Sequence, residues 1–149
     1  MKRITGKKGF TLAELLIVVA IIGVLVAISI PIFTNNLKKA RLATNQANAR
    51  AAYAAAMAWY IENSDSTDFN DRAGGTYEVD KGVFTPAKLT TSSNAPELPK
   101  DIASWTVTTP NPHNKPDKKN VGETVYNCWE IDWTNNFDGT IDVIIAYNE

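Results

Sequence analysis

Gly9-Phe10-Thr11-Leu12-Ala13-Glu14 runs directly into Leu15–Phe33, LLIVVAIIGVLVAISIPIF, nineteen residues without a charged side chain. At about 1.5 Å of rise per residue, a helix of this length covers roughly the 30 Å of bilayer hydrocarbon. The stretch therefore reads as a membrane-spanning helix. Lys2, Arg3, Lys7 and Lys8 lie ahead of it, and no small-residue cleavage site of the Ala-x-Ala kind follows its far end. A secretory signal peptide is a poor fit to that pattern. The remaining features are a short basic leader, a Gly-Phe junction, and one carboxylate four residues beyond the Phe.

The stretch KKGFTLAELLIVVAIIGVLVAISIP resembles the leader and N-terminal helix of type IV prepilins. The resemblance covers about the first 60 residues. It implies cleavage after Gly9 by a membrane-embedded prepilin peptidase, N-methylation of the new terminal Phe10, and use of Glu14 in filament assembly. Gly23 and Pro31 stand where many pilins carry a helix-loosening Gly and Pro. It implies an α+β fold, a long N-terminal helix packed on a small antiparallel sheet. The resulting division is 1–9 leader, 10–33 membrane and filament-core helix, 34–63 amphipathic helix half, and 64–149 sheet domain.

Glu14 calls for an explanation on physical grounds alone. A carboxylate at the centre of a bilayer costs roughly 2.5–3.5 kcal/mol on insertion scales, and less near a helix end. Cleavage after Gly9 would give Phe10 a free amino group, with which a neighbouring subunit's Glu14 could pair inside an apolar bundle. Such a pair is charge-assisted and poorly screened, and it would set the depth at which a subunit docks. The alternative is a Glu that complements the helix macrodipole and snorkels toward the headgroups.

Pro31 has no N–H for the carbonyl of Ala27, and Gly23 adds backbone freedom, so the helix is weakened between them. Neighbouring helices in a membrane can satisfy the freed groups. Ala13, Ala20, Gly23 and Ala27 also allow helices to approach closely. An ordinary Pro kink without any change of state is the simpler alternative.

Residues 32–62 contain no Gly or Pro and are rich in Ala, so the helix is expected to continue to about Asn63. Leu37, Ala40, Thr44, Ala47, Ala51, Ala54, Ala58 and Ile61 follow the spacing of one helix face. Tyr53, Met57 and Tyr60 form a second apolar stripe, and Arg41, Asn45 and Asn48 a polar one. One apolar side would meet the chain's own sheet and the other neighbouring subunits. A helix sunk in a single small core is the competing arrangement.

The stretch beyond Asn63 is short for an independent core, so the Ala-rich helix half is expected to complete it. Candidate strands are 76–84, 105–109, 124–133 and 140–147. Val125, Trp129, Ile131 and Trp133 would share one face of the third, and Ile141, Val143, Ile145 and Tyr147 one face of the fourth, with a hairpin loop at 134–139. Segments 90–100 and 110–120 read as surface loops.

Loss of the four basic leader residues moves the formal net charge from −1 to −5, and the sequence shows no basic nucleic-acid footprint. Lys38, Lys39 and Arg41 nearly balance the leader, so charge sets orientation weakly and the bulk of the C-terminal part favours N-inside, C-outside. His113 sits among Pro110, Pro112 and Pro116 and reads as a solvated loop residue. Cys128 is the only cysteine, which excludes an intrachain disulfide and is compatible with the disulfide-free pilins of Gram-positive bacteria. It reads as a small core residue. Asp132, Asp138 and Asp142 with Asn135 and Asn136 could offer oxygen ligands to Ca²⁺, but they lack EF-hand spacing, and hairpin polarity explains them more simply. Trp59, Trp105, Trp129 and Trp133 are assigned to packing rather than to ligand stacking.

No catalytic constellation, cofactor site or metal site is expected, and there is no phosphate-binding loop. The expected role is a structural subunit of a type IV pilus. The prepilin peptidase, an assembly platform with its ATPase, the membrane before assembly, and further copies of the chain in a helical filament are the expected partners. A pseudopilin of a type II secretion or competence DNA-uptake machine is the nearest alternative. An uncleaved single-pass membrane-anchored binding domain is the other.

Overall fold

The computed structural model describes residues 9–63, 74–87, 98–112, 119–132 and 142–148. His113, Trp133, Asn135, Asn136, Asp138 and the 134–139 loop lie outside these residues, as do most of segments 90–100 and 110–120. Helix α1 occupies Leu12–Asn63, the extent its Ala-rich and Pro-poor outer half predicts, and it continues through Pro31. Strands β1 (Gly74–Glu78), β2 (Val83–Ala87), β3 (Cys128–Asp132) and β4 (Asp142–Tyr147) form one antiparallel sheet in the order β2-β1-β3-β4. The architecture is α+β, one long N-terminal helix on a small antiparallel sheet. The chain divides into two units, Met1–Leu37 and Lys38–Glu149.

Several strand boundaries differ from expectation. The 76–84 segment is a hairpin rather than one strand, because a turn at 79–82 breaks it. Gly82 adopts φ +64°, a conformation that costs side-chain-bearing residues roughly 1–2 kcal/mol. An ion pair between Lys81 and Glu78 flanks the turn. Segment 105–109 is not a strand: it turns back on itself, with the Thr109 N–H donating to the Thr106 carbonyl at 3.0 Å. Its β-branched composition suits a strand, but Trp105 is drawn into the core and stacks on Trp129 with centroids 6.0 Å apart.

Strand β3 begins only at Cys128. Val125, expected on its buried face, lies ahead of it and is 41% exposed. In β4 Ala146 is buried and paired with Trp129, while Tyr147 is half-buried, and the register is irregular at Glu130/Ile131. Leu98 and Asn111 fall within segments expected to be surface loops, yet both are buried. Asn111 donates through Nδ2 to the Ala146 carbonyl and accepts from its N–H at 3.4 Å, so its amide takes the place of a further strand beside β4.

The core of the second unit sets small residues on α1 against large ones elsewhere. Ala49, Ala52 and Ala56 are fully buried beside Leu98, Trp105, Val121, Tyr126, Trp129, Ile131 and Ala146. Three methyl groups on one helix face leave room for Trp129, which stacks on Trp105 and meets Tyr126 edge-on at 6.2 Å. Cys128 is buried as expected of a small core residue, and Trp105 and Trp129 are packing residues. Gly75 is required by a close approach: a Cβ there would fall 2.5 Å from the Phe84 ring and from the Thr85 carbonyl.

The helix face that turns inward is not the one its composition favours. Leu37, Ala40, Thr44, Ala47, Ala51, Ala54, Ala58 and Ile61 are all exposed, and Ile61 is 69% exposed. The supposedly polar stripe is the bonded one. Asn45 is fully buried, and its Nδ2 donates to the carbonyls of Val121 and Thr124 at 2.7 Å each. Its Oδ1 accepts the Tyr126 N–H at 3.0 Å. Arg41 donates to the Glu123 carbonyl at 2.6 Å, Gln46 to that of Ile102 at 2.9 Å and Asn48 to that of Tyr126 at 3.3 Å. Segment 121–126 lies outside the sheet, and Asn45 and Asn48 bond backbone groups of Val121, Thr124 and Tyr126 that the sheet does not pair. A helix sunk on all sides in one core is therefore ruled out.

Candidate functional site: the N-terminal junction and the exposed helix faces

Gly9, Phe10 and Thr11 precede α1 in non-helical backbone, and Phe10 is 77% exposed. The helix begins where Thr11 caps it. The Thr11 N–H and hydroxyl both donate to Glu14 Oε2, at 2.9 and 2.8 Å, and the Glu14 N–H donates to Thr11 Oγ1 at 3.3 Å. This reciprocal arrangement is a capping box, which satisfies backbone donors that a helix start leaves open. It explains the position of the carboxylate locally, and it leaves Glu14 on the exposed surface of the helix.

The next two turns and those that follow carry no core of their own. Leu15, Leu16, Ile17, Val19, Ile21, Val24, Leu25, Ile28, Ile30 and Phe33 are each about half exposed or more, and one apolar span long enough to cross a bilayer lies here. Its polar side chains are satisfied internally: the Ser29 hydroxyl donates to the Leu25 carbonyl at 2.7 Å and that of Thr34 to the Ile30 carbonyl at 2.9 Å. Such back-bonding suits a helix surrounded by hydrocarbon. Gly23 and Pro31 lie within the unbroken helix, and nothing beyond the adjoining helix backbone stands within 4 Å of a Cβ placed on Gly23. Small and apolar residues thus form a surface open to other helices.

Residues 4–30 match the family model described as the prokaryotic N-terminal methylation motif. The type IV major pilin protein PilE1 of Neisseria gonorrhoeae is 30% identical over 114 residues, covering 68% of this chain and 69% of that protein. The chain belongs to the type IV pilin family. Two further relatives align over shorter stretches of this pilin. The type IV major pilin protein PilA of Myxococcus xanthus is 40% identical over 67 residues, 45% of this chain and 30% of that protein. The type IV narrow pilus major component PilA5 of Thermus thermophilus is 43% identical over 74 residues, 46% of this chain and 64% of that protein. No solved structure matches the chain.

The pilin's junction residues Gly9, Phe10 and Glu14 are brought within one turn of the helix start, as their sequence spacing requires. Thr11 is the participant that sequence reasoning passed over. Its signal was present, a Thr three residues ahead of a Glu at the start of an apolar run. In the outer half, Asn45 and Arg41, read from sequence only as part of a polar stripe, bind the pilin's own 121–124 segment, and the Ala40–Ile61 stripe is left exposed.

Proposed function

We propose that this pilin is a structural subunit that enters the membrane through its apolar helix, is cut between Gly9 and Phe10, is methylated on the Phe10 nitrogen, and polymerises into a helical surface filament. The observation that carries the proposal is an exposed, non-helical Gly9-Phe10 junction directly ahead of an apolar helix with no core of its own. A peptidase needs an accessible bond outside regular structure, and exposure of Gly9 and Phe10 ahead of the helix supports that reading. A bundle needs apolar helix surface, which the subunit alone leaves uncovered.

In this scheme Glu14 pairs with the Phe10 amine of a neighbouring subunit within the bundle, where a single charge-assisted bond fixes axial depth. Gly23 and Pro31 let the helix loosen as it passes from bilayer to filament. The exposed Leu37–Ile61 stripe meets neighbouring subunits in the outer part of the filament. Before assembly the pilin lies N-inside, C-outside in the membrane; the prepilin peptidase, an assembly platform and its ATPase act on it, and the role is structural rather than catalytic.

The test is intact-mass and N-terminal peptide analysis of sheared surface material and of membranes from the native host. Methylated Phe10 at the terminus of the chain in sheared fibres is the expected result. The same mature chain confined to membranes would favour a pseudopilin of a secretion or DNA-uptake machine. Residues 1–9 retained throughout, with no fibre fraction, would overturn the scheme and leave an uncleaved membrane anchor.

A further inference from the structure

Glu14 carries the assembly role proposed above, and the capping box shows what holds it before a neighbour arrives. Among the described residues, Thr11 supplies both donors that reach the carboxylate, its N–H at 2.9 Å and its hydroxyl at 2.8 Å, and both fall on the same oxygen, Oε2. The N–H belongs to the backbone and is present whatever residue stands there. The hydroxyl is the contribution of this side chain, and it also accepts the Glu14 N–H. One residue thus does two separable things: it caps the helix, and it fixes the direction of a carboxylate that would otherwise swing on three rotatable bonds.

We propose that Thr11 is a positioning residue for Glu14, its hydroxyl holding the carboxylate at the helix start, one residue from Phe10, so that the side chain enters assembly already ordered. An unpartnered carboxylate in apolar surroundings is costly, and a long side chain loses rotamer entropy when a partner captures it. Thr11 reduces both penalties within the single subunit. The Oε1 oxygen is left to accept from the incoming amine, while Oε2 stays tied. Preorganisation of this kind strengthens association without adding a contact across the interface. The proposal rests on the pairing role of Glu14.

The experiment measures, for variants expressed in the native host, the ratio of mature chain in sheared fibres to mature chain in membranes, with N-terminal mass confirming cleavage in each. Thr11→Val removes the hydroxyl and the cap together. Thr11→Gly removes the hydroxyl but keeps a cap of similar quality, since Gly and Thr rank alike at that position. Thr11→Ser keeps both. The expected result is a fall of roughly ten-fold in the ratio for Val and for Gly, the scale of one hydrogen bond to a charged group, with Ser near wild type. Gly at wild-type level with Val reduced would assign Thr11 to helix capping alone and overturn the proposal. Wild-type assembly of Thr11→Val would overturn it as well. Glu14→Leu separates the two levels: if it blocks fibres while Thr11→Val does not, only the positioning role fails. If Glu14→Leu assembles normally, the pairing role fails and takes this proposal with it.

Discussion

Asn45 is a polar residue on an Ala-rich helix, and its amide makes three hydrogen bonds to a segment more than 75 residues away. Replacing it with Ala would strand the buried Val121 carbonyl and Tyr126 N–H and the part-buried Thr124 carbonyl, so Asn45→Ala is expected to lower stability by about 2–4 kcal/mol, measurable by denaturant unfolding of the detergent-solubilised chain. Nearby, burial pushes the Tyr126 phenol above its ordinary value of 10.0, with an Asn111 hydrogen bond opposing the shift and the Glu123 charge adding to it. The folded chain therefore holds the neutral phenol more firmly than the unfolded chain does. Its contribution is complete below the unfolded value near pH 10 and is lost as pH rises through the higher folded value. Tyr126→Phe should flatten that alkaline decline in a pH series of unfolding curves, at the expense of the 2.7 Å bond its hydroxyl donates to the Lys119 carbonyl. At this scale the sequence was legible where context removed choice: a lone Glu beside nineteen uncharged residues must be accounted for. Asn45 was not legible, because an amide looks the same in sequence whether it faces water or brackets a distant backbone.

Helix α1 presents alanine on more than one side, and the partner of each side depends on groups far along the chain. Ala49, Ala52 and Ala56 are sealed against aromatic rings, whereas Ala47, Ala54 and Ala58 are open. Ala52→Leu is expected to overpack the core and cost about 1–3 kcal/mol, while Ala54→Lys should leave unfolding within about 0.5 kcal/mol of wild type. In fibres the order reverses: Ala54→Lys should reduce the sheared yield, because it places a charge on the stripe assigned to neighbouring subunits. Both effects can be read from one pair of variants by unfolding curves and by fibre quantification. Helix length followed from the absence of Gly and Pro between 32 and 62, but which alanine face turns inward did not. That choice is made by Trp129, Trp105 and the hydrogen-bonding needs of 121–126. The β1–β2 hairpin was readable in principle from Gly82, whereas a Val- and Thr-rich segment such as 106–109 has strand composition but, among the described residues, pairs only through two backbone bonds, to Val121 and Gly122, beside a single Pro110–Asn120 bridge.

At the scale of the whole molecule, a helix apolar enough to cross a membrane and the α+β architecture were legible because they depend on long, redundant signals: an uncharged run, an unbroken helix former, and strand-forming stretches. The strand order β2-β1-β3-β4 was not, since the residues alone do not say which strand of the β1–β2 hairpin meets β3. The sequence offers one cysteine, and that residue is buried. The unfolding midpoint is accordingly expected to be the same with and without a reductant, a comparison that takes two thermal scans. The polar bracket formed by Arg41, Asn45 and Asn48 fastens residues 121–126 to the helix without a covalent bridge. Under tension, a fastening made of hydrogen bonds yields to a hard pull and closes again unaided when the pull stops. Repair would then take the time of a loop closing rather than that of a chemical oxidation, and each subunit would be a clasp that resets itself.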